Sequence, residues 1–248
     1  MASQLLSSTS TKAPKSFNKE KTKATTAKLL EELDELQNLL FAENKNAILV
    51  VIQGLDASGK DGAIKNVFGK LNPQGVLVKS YKAPTPNELD QDFLWRIHQH
   101  TPAKGMLQIF NRSHYEDILT TRVHKWCDDK LAKQRMIAIN NFENLLQVHG
   151  STHILKFYLH VSQEEQQLRL QERVNEPRKH WKHNQNDFEE AKLWKEHMKV
   201  YQDCFNNCNK PEWIITPSDQ NWYKEHIIAK SLHQLLTSLK MKYPDLKK

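Results

Sequence analysis

Residues 47–62 read AILVVIQGLDASGKDG, and this stretch decides the fold class. The run AILVVIQ predicts a buried strand, and a helical pattern follows over residues 61–71. Between them, Gly54 and Gly59 bound a loop that ends in Lys60, with the spacing G-x-x-x-x-G-K. Glycine lets backbone N–H groups turn inward, and a helix N-terminus carries partial positive charge. We therefore predict a phosphate-binding loop.

The loop departs from the usual motif at Asp61, where a Ser or Thr hydroxyl normally meets magnesium. A carboxylate can still hold Mg²⁺ or its waters, because hard cations prefer oxygen ligands, and Asp56 supplies a second carboxylate. Two acids beside bound phosphate would repel it, so the pair predicts metal ions or strongly basic neighbours. A simple charge at the helix N-terminus is the alternative interpretation of Asp61. The candidate phosphate-binding positions of the loop are Gly54, Ala57, Gly59 and Gly62.

Strands and helices alternate along the chain, which predicts a three-layer α/β/α sandwich around a five-stranded, mostly parallel sheet. The predicted strands are residues 47–53, 76–81, 106–110, 152–161 and 213–215. The predicted helices begin at Thr25 and at the capping box of residues 162–165, and cover residues 61–71, 87–98, 130–148, 188–205 and 222–240. We expect one domain over residues 24–248, after a disordered basic tail over residues 1–23.

The net charge of +7 is concentrated at the N-terminus, where residues 1–28 hold six lysines and one glutamate. We interpret this segment as a solvated tail, with contact to a polyanion or an acidic surface as the alternative, and expect deletion of residues 1–23 to leave activity almost unchanged. We expect no nucleic-acid or membrane partner. No run approaches eighteen apolar residues and no apolar leader is visible, which argues against a membrane span or a secretory signal. Three cysteines argue for a reducing, cytoplasmic location.

A polar cluster follows the third predicted strand, at the sheet edge where open parallel sheets bind ligands. Arg112 and Arg122 could hold phosphoryl oxygens in a bidentate manner. The alternative is a helix-capping cluster with local salt bridges. The candidate site residues of this region are Asn111, Arg112, His114, Tyr115, Glu116 and Arg122.

A basic, irregular insert interrupts two helices at about residues 169–190. Such a segment is typical of a mobile lid that closes on phosphates and excludes water, although a solvated basic loop is the alternative. Arg169 and Arg173 are four residues apart and share a helix face. The candidate lid residues are Arg173, Lys179, Trp181 and Lys182, with Arg169 and Arg178 in the same cluster.

Together these three groups of residues resemble the family-2 polyphosphate kinases over about residues 29–240. The loop matches the family pattern at Gly54, Asp56, Ala57, Gly59, Lys60 and Asp61. Residues 110–117, FNRSHYED, are similar to the branch that accepts both nucleoside mono- and diphosphates, and the lid from Glu172 to Lys182 also resembles the family. Further similarity lies in residues 94–96 and 221–223.

The resemblance implies a P-loop kinase-like fold with a helical lid, and transfer of phosphate from inorganic polyphosphate to AMP or ADP with Mg²⁺, or Mn²⁺ as the alternative ion. It implies ATP as product, guanine nucleotides as further candidates, and a homodimer or homotetramer. Lys60 would hold phosphates, Asp56 and Asp61 would place the metal, and Arg112 and Arg122 would balance charge on the moving phosphoryl group. The alternatives are an NTP-dependent nucleotide kinase of the same fold and a non-catalytic polyanion-binding protein.

Overall fold

The computed structural model describes residues 6–246, and these form one five-stranded sheet in which every paired neighbour is parallel. The strand order is β2-β3-β1-β4-β5. The strands are β1 (Ala47–Gln53), β2 (Val76–Ser80), β3 (Leu107–Asn111), β4 (Thr152–His160) and β5 (Trp213–Pro217). β1 lies in the centre and is buried along its whole length, as its unbroken apolar run predicts.

Helices cover both faces of the sheet. They are α1 (Lys19–Glu43), α2 (Lys60–Phe68), α3 (Pro86–Leu89), α4 (Trp95–His98), α5 (Thr120–Val123), α6 (Asp129–Gly150), α7 (Gln163–Asn175), α8 (Gln185–Lys192), α9 (Trp194–Asn207) and α10 (Asn221–Ser238). Alternate residues of β1 face opposite sides: Leu49 and Val51 pack with α6 and α9, whereas Val50 packs with α1, α2 and α10. The predicted α/β/α sandwich is therefore confirmed.

Two predicted helices are each divided. The segment at residues 87–98 forms α3 and α4, because the Asp92 carboxylate accepts a hydrogen bond from the Leu94 amide at 2.9 Å and forms a turn between them. The segment at residues 188–205 is divided at Leu193, which leaves helical geometry at ψ 20°. α1 begins six residues earlier than predicted, because the Asn18 side chain caps it at Lys21.

The expected disorder of residues 1–23 is wrong for residues 6–23, whereas residues 1–5 lie outside the described residues. We call residues 6–17 the N-terminal strap. Leu6 is 4% exposed and belongs to the core beside α9, and Thr11 bonds to Asp219. Composition alone does not predict that the strap is ordered, because its order depends on contacts with the distant β5–α10 loop. Within residues 6–246, no helix is both long and apolar enough to cross a bilayer.

Candidate active site

The phosphate-binding loop occupies the predicted position, between the end of β1 and the start of α2. Gly54 and Gly59 have φ of 154° and 93°, and Ala57 also has positive φ, at 60°. The φ of Gly59 is one that L side chains rarely adopt, and a Cβ atom there would also lie 2.2 Å from the end of the Lys224 side chain, so glycine is strongly favoured. Gly62 differs, because a Cβ atom would meet open space. The loop therefore favours glycine at positions 54 and 59, whereas position 62 has room for a side chain.

Lys60 is buried against its own loop. Its Nζ donates to the Gly54 carbonyl at 2.7 Å and to the Leu55 carbonyl at 3.0 Å. Burial, with a contribution from the nearby Arg112 charge, lowers the pKa of Lys60 to about 8. The Lys60 ammonium therefore lies at the start of α2, beside the first N–H groups of the helix, which have no partner within the helix.

Two further cations hold the outer side of the loop. Arg169 Nη1 donates to the carbonyls of Ala57 and Ser58, both at 3.1 Å, and Lys224 Nζ donates to the Gly59 carbonyl at 3.1 Å. Burial, followed by the Arg169 charge, lowers the pKa of Lys224 to about 7. These bonds occupy the carbonyls of Ala57, Ser58 and Gly59, so the loop carbonyls are satisfied by cations rather than left free beside a bound anion.

Asp56 and Arg112 form an ion pair at the sheet edge. Ile52 of β1 pairs with Asn111 of β3, so both loops leave the sheet at the same place. Arg112 has a φ of 60° and directs Nη2 to Asp56 Oδ1 and Nη1 to Glu116 Oε2, the latter at 3.5 Å. Burial alone would raise the pKa of Asp56, but the Arg112 and Lys60 charges lower it, and Glu116 together with Asp56 raises the pKa of Arg112.

Asp61 connects the loop to the lid. Its carboxylate accepts from Asn111 Nδ2 at 3.0 Å and from Lys182 Nζ at 3.1 Å. Burial opposes ionisation, but these two hydrogen bonds outweigh it and lower the pKa of Asp61. The carboxylate is therefore ionised at neutral pH and faces the cleft.

The basic cleft is a cavity of about 640 Å³ over the loop. Among the described residues, seven basic side chains and four carboxylates line it. The basic ones besides Lys60, Arg112 and Arg169 are Lys82, Arg173, Lys179 and Lys182. Lys179 is paired with Glu172 at 2.8 Å and Glu176 at 2.9 Å, so some of this charge is already partnered. The cleft suits an extended polyanion that can take over these pairings.

The aromatic pocket adjoins the basic cleft and has a volume of about 780 Å³. The two share Asp56, Tyr81, Lys82 and Arg112. Trp126 lines this second cavity, is 72% exposed, and stacks on His124 with ring centroids 4.7 Å apart. His124 Nε2 lies 2.8 Å from the Glu190 carboxylate of α8, so the pocket is bounded by the lid. A flat ring and hydroxyl groups fit such a lining better than a chain of phosphates.

The structure brings most of the predicted site residues together around these cavities. Those lining one or both are Gly54, Asp56, Ala57, Gly59, Lys60, Asp61, Gly62, Asn111, Arg112, Glu116, Arg173, Lys179 and Lys182. Four predicted residues lie elsewhere: Arg122, His114, Tyr115 and Trp181.

Arg122 lies outside both cavities. Its guanidinium bonds Asp203 of α9 at 2.7 Å and Asp129 of α6 at 2.8 Å. α5 turns the side chain toward these helices, and the structure does not bring it to the loop. The expectation that Arg122 faces the phosphates is corrected accordingly.

His114 and Tyr115 point into the core beneath Arg112. Both are fully buried, and the Tyr115 hydroxyl donates to Glu143 at 2.7 Å while Lys156 Nζ bonds Glu143 at 2.8 Å. His114 Nε2 lies 3.3 Å from the same carboxylate. Phosphate cannot reach these buried side chains, so the prediction that they contact phosphate is wrong in this structure. Instead, they pack beneath the turn that carries Arg112 and support it.

Trp181 is 78% exposed on the outside of the lid, with Lys182 Nζ 4.8 Å from its ring centre. It does not line either cavity in this arrangement of the lid. The adjacent Lys182 does, because the short helix Pro177–Lys182 places successive side chains on different sides.

Several residues at the site were not predicted. Lys224 follows the recognised residues 221–223, but nothing in its sequence context shows that it reaches Gly59. Arg169 was assigned to the basic lid cluster, whereas it anchors the loop. Trp126 and Glu190 do not belong to any sequence motif. They line the pocket only because α8 packs over the edge of the sheet.

The carboxylates fit a magnesium ion that also binds substrate. Residues 6–246 contain no group of three or more His, Cys, Asp or Glu side chains that could hold a metal alone. Mg²⁺ typically takes one or two carboxylates and completes its shell with water and phosphate oxygens. Asp56 and Asp61 both line the basic cleft and both have lowered pKa values, which is the donor set such an ion needs.

Comparisons with known proteins show which family and which solved structure this chain is similar to. The family model described as Polyphosphate kinase 2 matches residues 16–247. An AMP/ADP-polyphosphate phosphotransferase of Meiothermus ruber is 43% identical over 220 residues, which is 88% of this chain and 82% of that protein. An ADP-polyphosphate phosphotransferase of Rhodopseudomonas palustris is 37% identical over 87% of this chain and 79% of that protein. The crystal structure of polyphosphate kinase 2 from Arthrobacter aurescens superposes with a TM-score of 0.93 at 35% identity, covering 98% of this chain and 88% of that one.

Proposed function

This chain belongs to the polyphosphate kinase 2 family, and on that premise we propose that it transfers the terminal phosphate of inorganic polyphosphate to AMP or ADP. One observation carries the proposal: a basic cleft and an aromatic pocket meet at the Asp56–Arg112 pair. A donor and an acceptor bound on either side of that pair would bring their phosphates together.

The donor occupies the basic cleft in this proposal. Polyphosphate carries charge along its whole length and no base, so it needs cations rather than an aromatic surface. Arg173, Lys179 and Lys182 of the lid supply them, and each is paired with a carboxylate, of Asp187, Glu172 and Asp61 respectively. Phosphate oxygens replace those carboxylates when the lid closes, and closure excludes water from the transfer.

The acceptor occupies the aromatic pocket. Its base stacks on the exposed Trp126 ring, and the carboxylate of Glu190 accepts hydrogen bonds from sugar hydroxyls or a base amino group. The phosphate end of AMP or ADP then points to Arg112. Stacking discriminates weakly between purines, so guanine nucleotides remain candidate acceptors.

The chain's own residues act by alignment and charge neutralisation. The acceptor oxygen is already ionised, so no strong general base is needed. Lys60 leaves the carbonyls of Gly54 and Leu55 and binds the phosphates around the transferred group. Arg112 balances the charge that develops on the phosphoryl group, and Asp56 fixes the Arg112 guanidinium.

Asp56 and Asp61 would hold Mg²⁺, with Mn²⁺ as the alternative ion. A bound ion would supply charge neutralisation at the phosphates. It would account for two ionised acids in a cleft rich in cations. We expect turnover to depend on added Mg²⁺, and we expect this dependence to be lost in Asp61→Ala. Both results together would support this part of the proposal.

The proposal is tested by supplying polyphosphate and AMP, or polyphosphate and ADP, with Mg²⁺ and no nucleoside triphosphate. Formation of ADP and ATP supports it. Failure with polyphosphate combined with turnover from ATP would favour the NTP-dependent nucleotide kinase, and binding without turnover would favour the non-catalytic polyanion binder. Running the reaction from ATP tests reversibility.

We retain the predicted homodimer or homotetramer as part of the proposal, on the resemblance alone. Size-exclusion chromatography with light scattering measures the assembly. A monomer at assay concentrations would remove this element without affecting the reaction.

A further inference from the structure

The N-terminal strap reaches the active site by a route outside the recognised motifs. Its first residues, 6–15, precede the matched family region. Leu6 is buried in the core and its amide donates to the Gln202 side chain of α9 at 2.8 Å. At the other end, Phe17 packs edge-on against Tyr223 of α10, with ring centroids 4.9 Å apart. The strap is thus fixed at both ends and crosses the β5–α10 loop between them.

Asp219 is the point where the strap meets the loop. Its Oδ2 accepts from the Thr11 hydroxyl at 2.8 Å, and its amide donates to the Thr11 carbonyl at 3.0 Å. Its Oδ1 accepts from the Ser162 amide at 2.9 Å, at the N-cap of α7. The Ala13 amide donates to Gln220 at 2.8 Å. Both oxygens of Asp219 are therefore engaged, one by the strap and one by the helix that leads to the lid.

The same residue connects to the phosphate-binding loop through Arg169. Arg169 Nη2 donates to the carbonyls of Ser218 at 2.7 Å and Asp219 at 3.0 Å. Its Nη1 donates to the carbonyls of Ala57 and Ser58. One guanidinium thus fixes the distance between the β5–α10 loop and the phosphate-binding loop, because its donors lie in a rigid plane.

We propose that the N-terminal strap is a positioning element of the phosphate-binding loop, acting through Asp219 and Arg169. The strap binds Asp219, Asp219 and Ser218 present the carbonyls that Arg169 binds, and Arg169 also binds the Ala57 and Ser58 carbonyls of the loop. The consequence for turnover rests on the proposed function, whereas the effect on loop order does not.

A purely structural strap would make a different prediction. Leu6 buries apolar surface, so any strap variant could lower overall stability without any particular effect on the loop. A positioning role instead concentrates the effect on the loop amides and on kcat/KM for polyphosphate, and makes it depend on Arg169.

The experiment uses the full chain with Thr11→Val, Asp219→Ala, Arg169→Gln and the double variant Asp219→Ala/Arg169→Gln. Ser10→Ala is the matched control, because the Ser10 hydroxyl bonds locally to the Lys12 backbone. We expect kcat/KM for polyphosphate to fall about 5-fold in Thr11→Val, where a hydrogen bond to a charged group is lost. We expect falls of roughly 30-fold in Asp219→Ala and ~100-fold in Arg169→Gln, because small misplacements of aligned groups have large effects.

The double variant should be no worse than Arg169→Gln alone, because both changes break the same connection. Additive losses would overturn the proposal. Hydrogen exchange at amides 57–62 gives a readout that needs no activity: exchange should accelerate in Thr11→Val and Asp219→Ala and stay unchanged in Ser10→Ala. Unchanged loop exchange in both Thr11→Val and Asp219→Ala would also overturn it, whatever the assay with polyphosphate shows. Thr11→Val is nearly isosteric, so it keeps the test valid if Asp219→Ala fails to fold.

Discussion

The basic cleft and the aromatic pocket share a wall that includes Asp56 and Arg112 but differ in much of the remaining lining. The cleft adds cations from α2, α7 and the lid, whereas the pocket adds the aromatic rings of Trp126 and His124 and the carboxylates of Glu116 and Glu190, together with Arg96 and Arg135. A linear polyanion can satisfy the first lining, and a ring with hydroxyl groups can satisfy the second. Under the proposed function, this difference would let surface chemistry distinguish the two substrates, while the Asp56–Arg112 pair would serve both.

The shared wall also explains why the loop carries an aspartate in its centre. In the cleft, Asp56 would repel phosphate unless a cation is close, and Arg112 is that cation. Because Glu116 holds the other side of the guanidinium, Arg112 stays at the junction when either substrate leaves. The two cavities can therefore be changed independently by mutations away from this pair.

The largest expected effect comes from removing the central cation of the cleft. Lys60→Met should lower kcat by ~10³-fold or more, because charge stabilisation of the transferred group is lost in a buried site. Binding of AMP, measured by calorimetry, should change little, because Lys60 does not line the aromatic pocket. Lys65→Met on the exposed side of α2 is the control and should keep near-normal kcat. Near-normal turnover in Lys60→Met would remove its assigned role.

The converse change affects the pocket. Trp126→Ala should raise the KM for AMP roughly 30-fold, since loss of stacking under a base is worth about 2 kcal/mol. The KM for polyphosphate should stay within about twofold, because Trp126 lies outside the basic cleft and sites without shared partners act independently. Trp126→Phe should recover most of the affinity. An equal rise in both KM values would show that the two cavities do not bind separate substrates.

A smaller, pH-dependent effect should appear on the cleft side alone. Lys60 has a pKa of about 8 in the free protein, so its charge is present below that pH and is lost above it. kcat/KM for polyphosphate should fall about tenfold for each pH unit above 8, since this parameter reports the free enzyme. Lys224, with a pKa of about 7, is already neutral in that range and does not produce the fall.

The matched variant is Lys60→Arg, in which the charge does not titrate and the alkaline fall should disappear. With polyphosphate saturating, bound phosphate keeps Lys60 protonated, so the profile for AMP should be flat from pH 7.5 to about 9. A fall that persists unchanged in Lys60→Arg would assign the titration to another group.

Sequence reasoning was most successful where neighbouring residues determine the result. The run 47–53, the two glycines and Lys60 define strand, turn and helix locally, and they were all confirmed in place. The same holds for Asn111 and Arg112 at the end of β3. Alternating strands and helices predict the covered parallel sheet, whereas the strand order β2-β3-β1-β4-β5 was not predicted from the sequence.

The missed features all depend on distant contacts. Lys224 lies 165 positions from Gly59 along the chain, and Thr11 lies 208 from Asp219. The wrong assignments at residues 114 and 115 have a different cause, which is the direction of side chains within a short turn. His114 and Tyr115 turn into the core, whereas Glu116 faces the pocket. A short turn with no clear periodicity does not indicate which side chains point inward.

The smallest expected effect on kcat is that of a change at Arg122. This variant tests whether Arg122 belongs to the active site or only lies near it in the sequence. Arg122 follows the Arg112 cluster in sequence, yet its guanidinium joins Asp203 and Asp129 on the outer helices. Arg122→Gln should therefore lower the melting temperature by ~2–3 °C, as expected for a partly exposed ion pair in a chain of this size, and lower kcat less than about threefold. Arg112→Gln, the paired variant, removes the shared wall and should lower kcat by ~10²-fold or more. A large loss of kcat in Arg122→Gln with unchanged KM values would mean that the guanidinium reaches the phosphates when the lid closes, and would return it to the catalytic group.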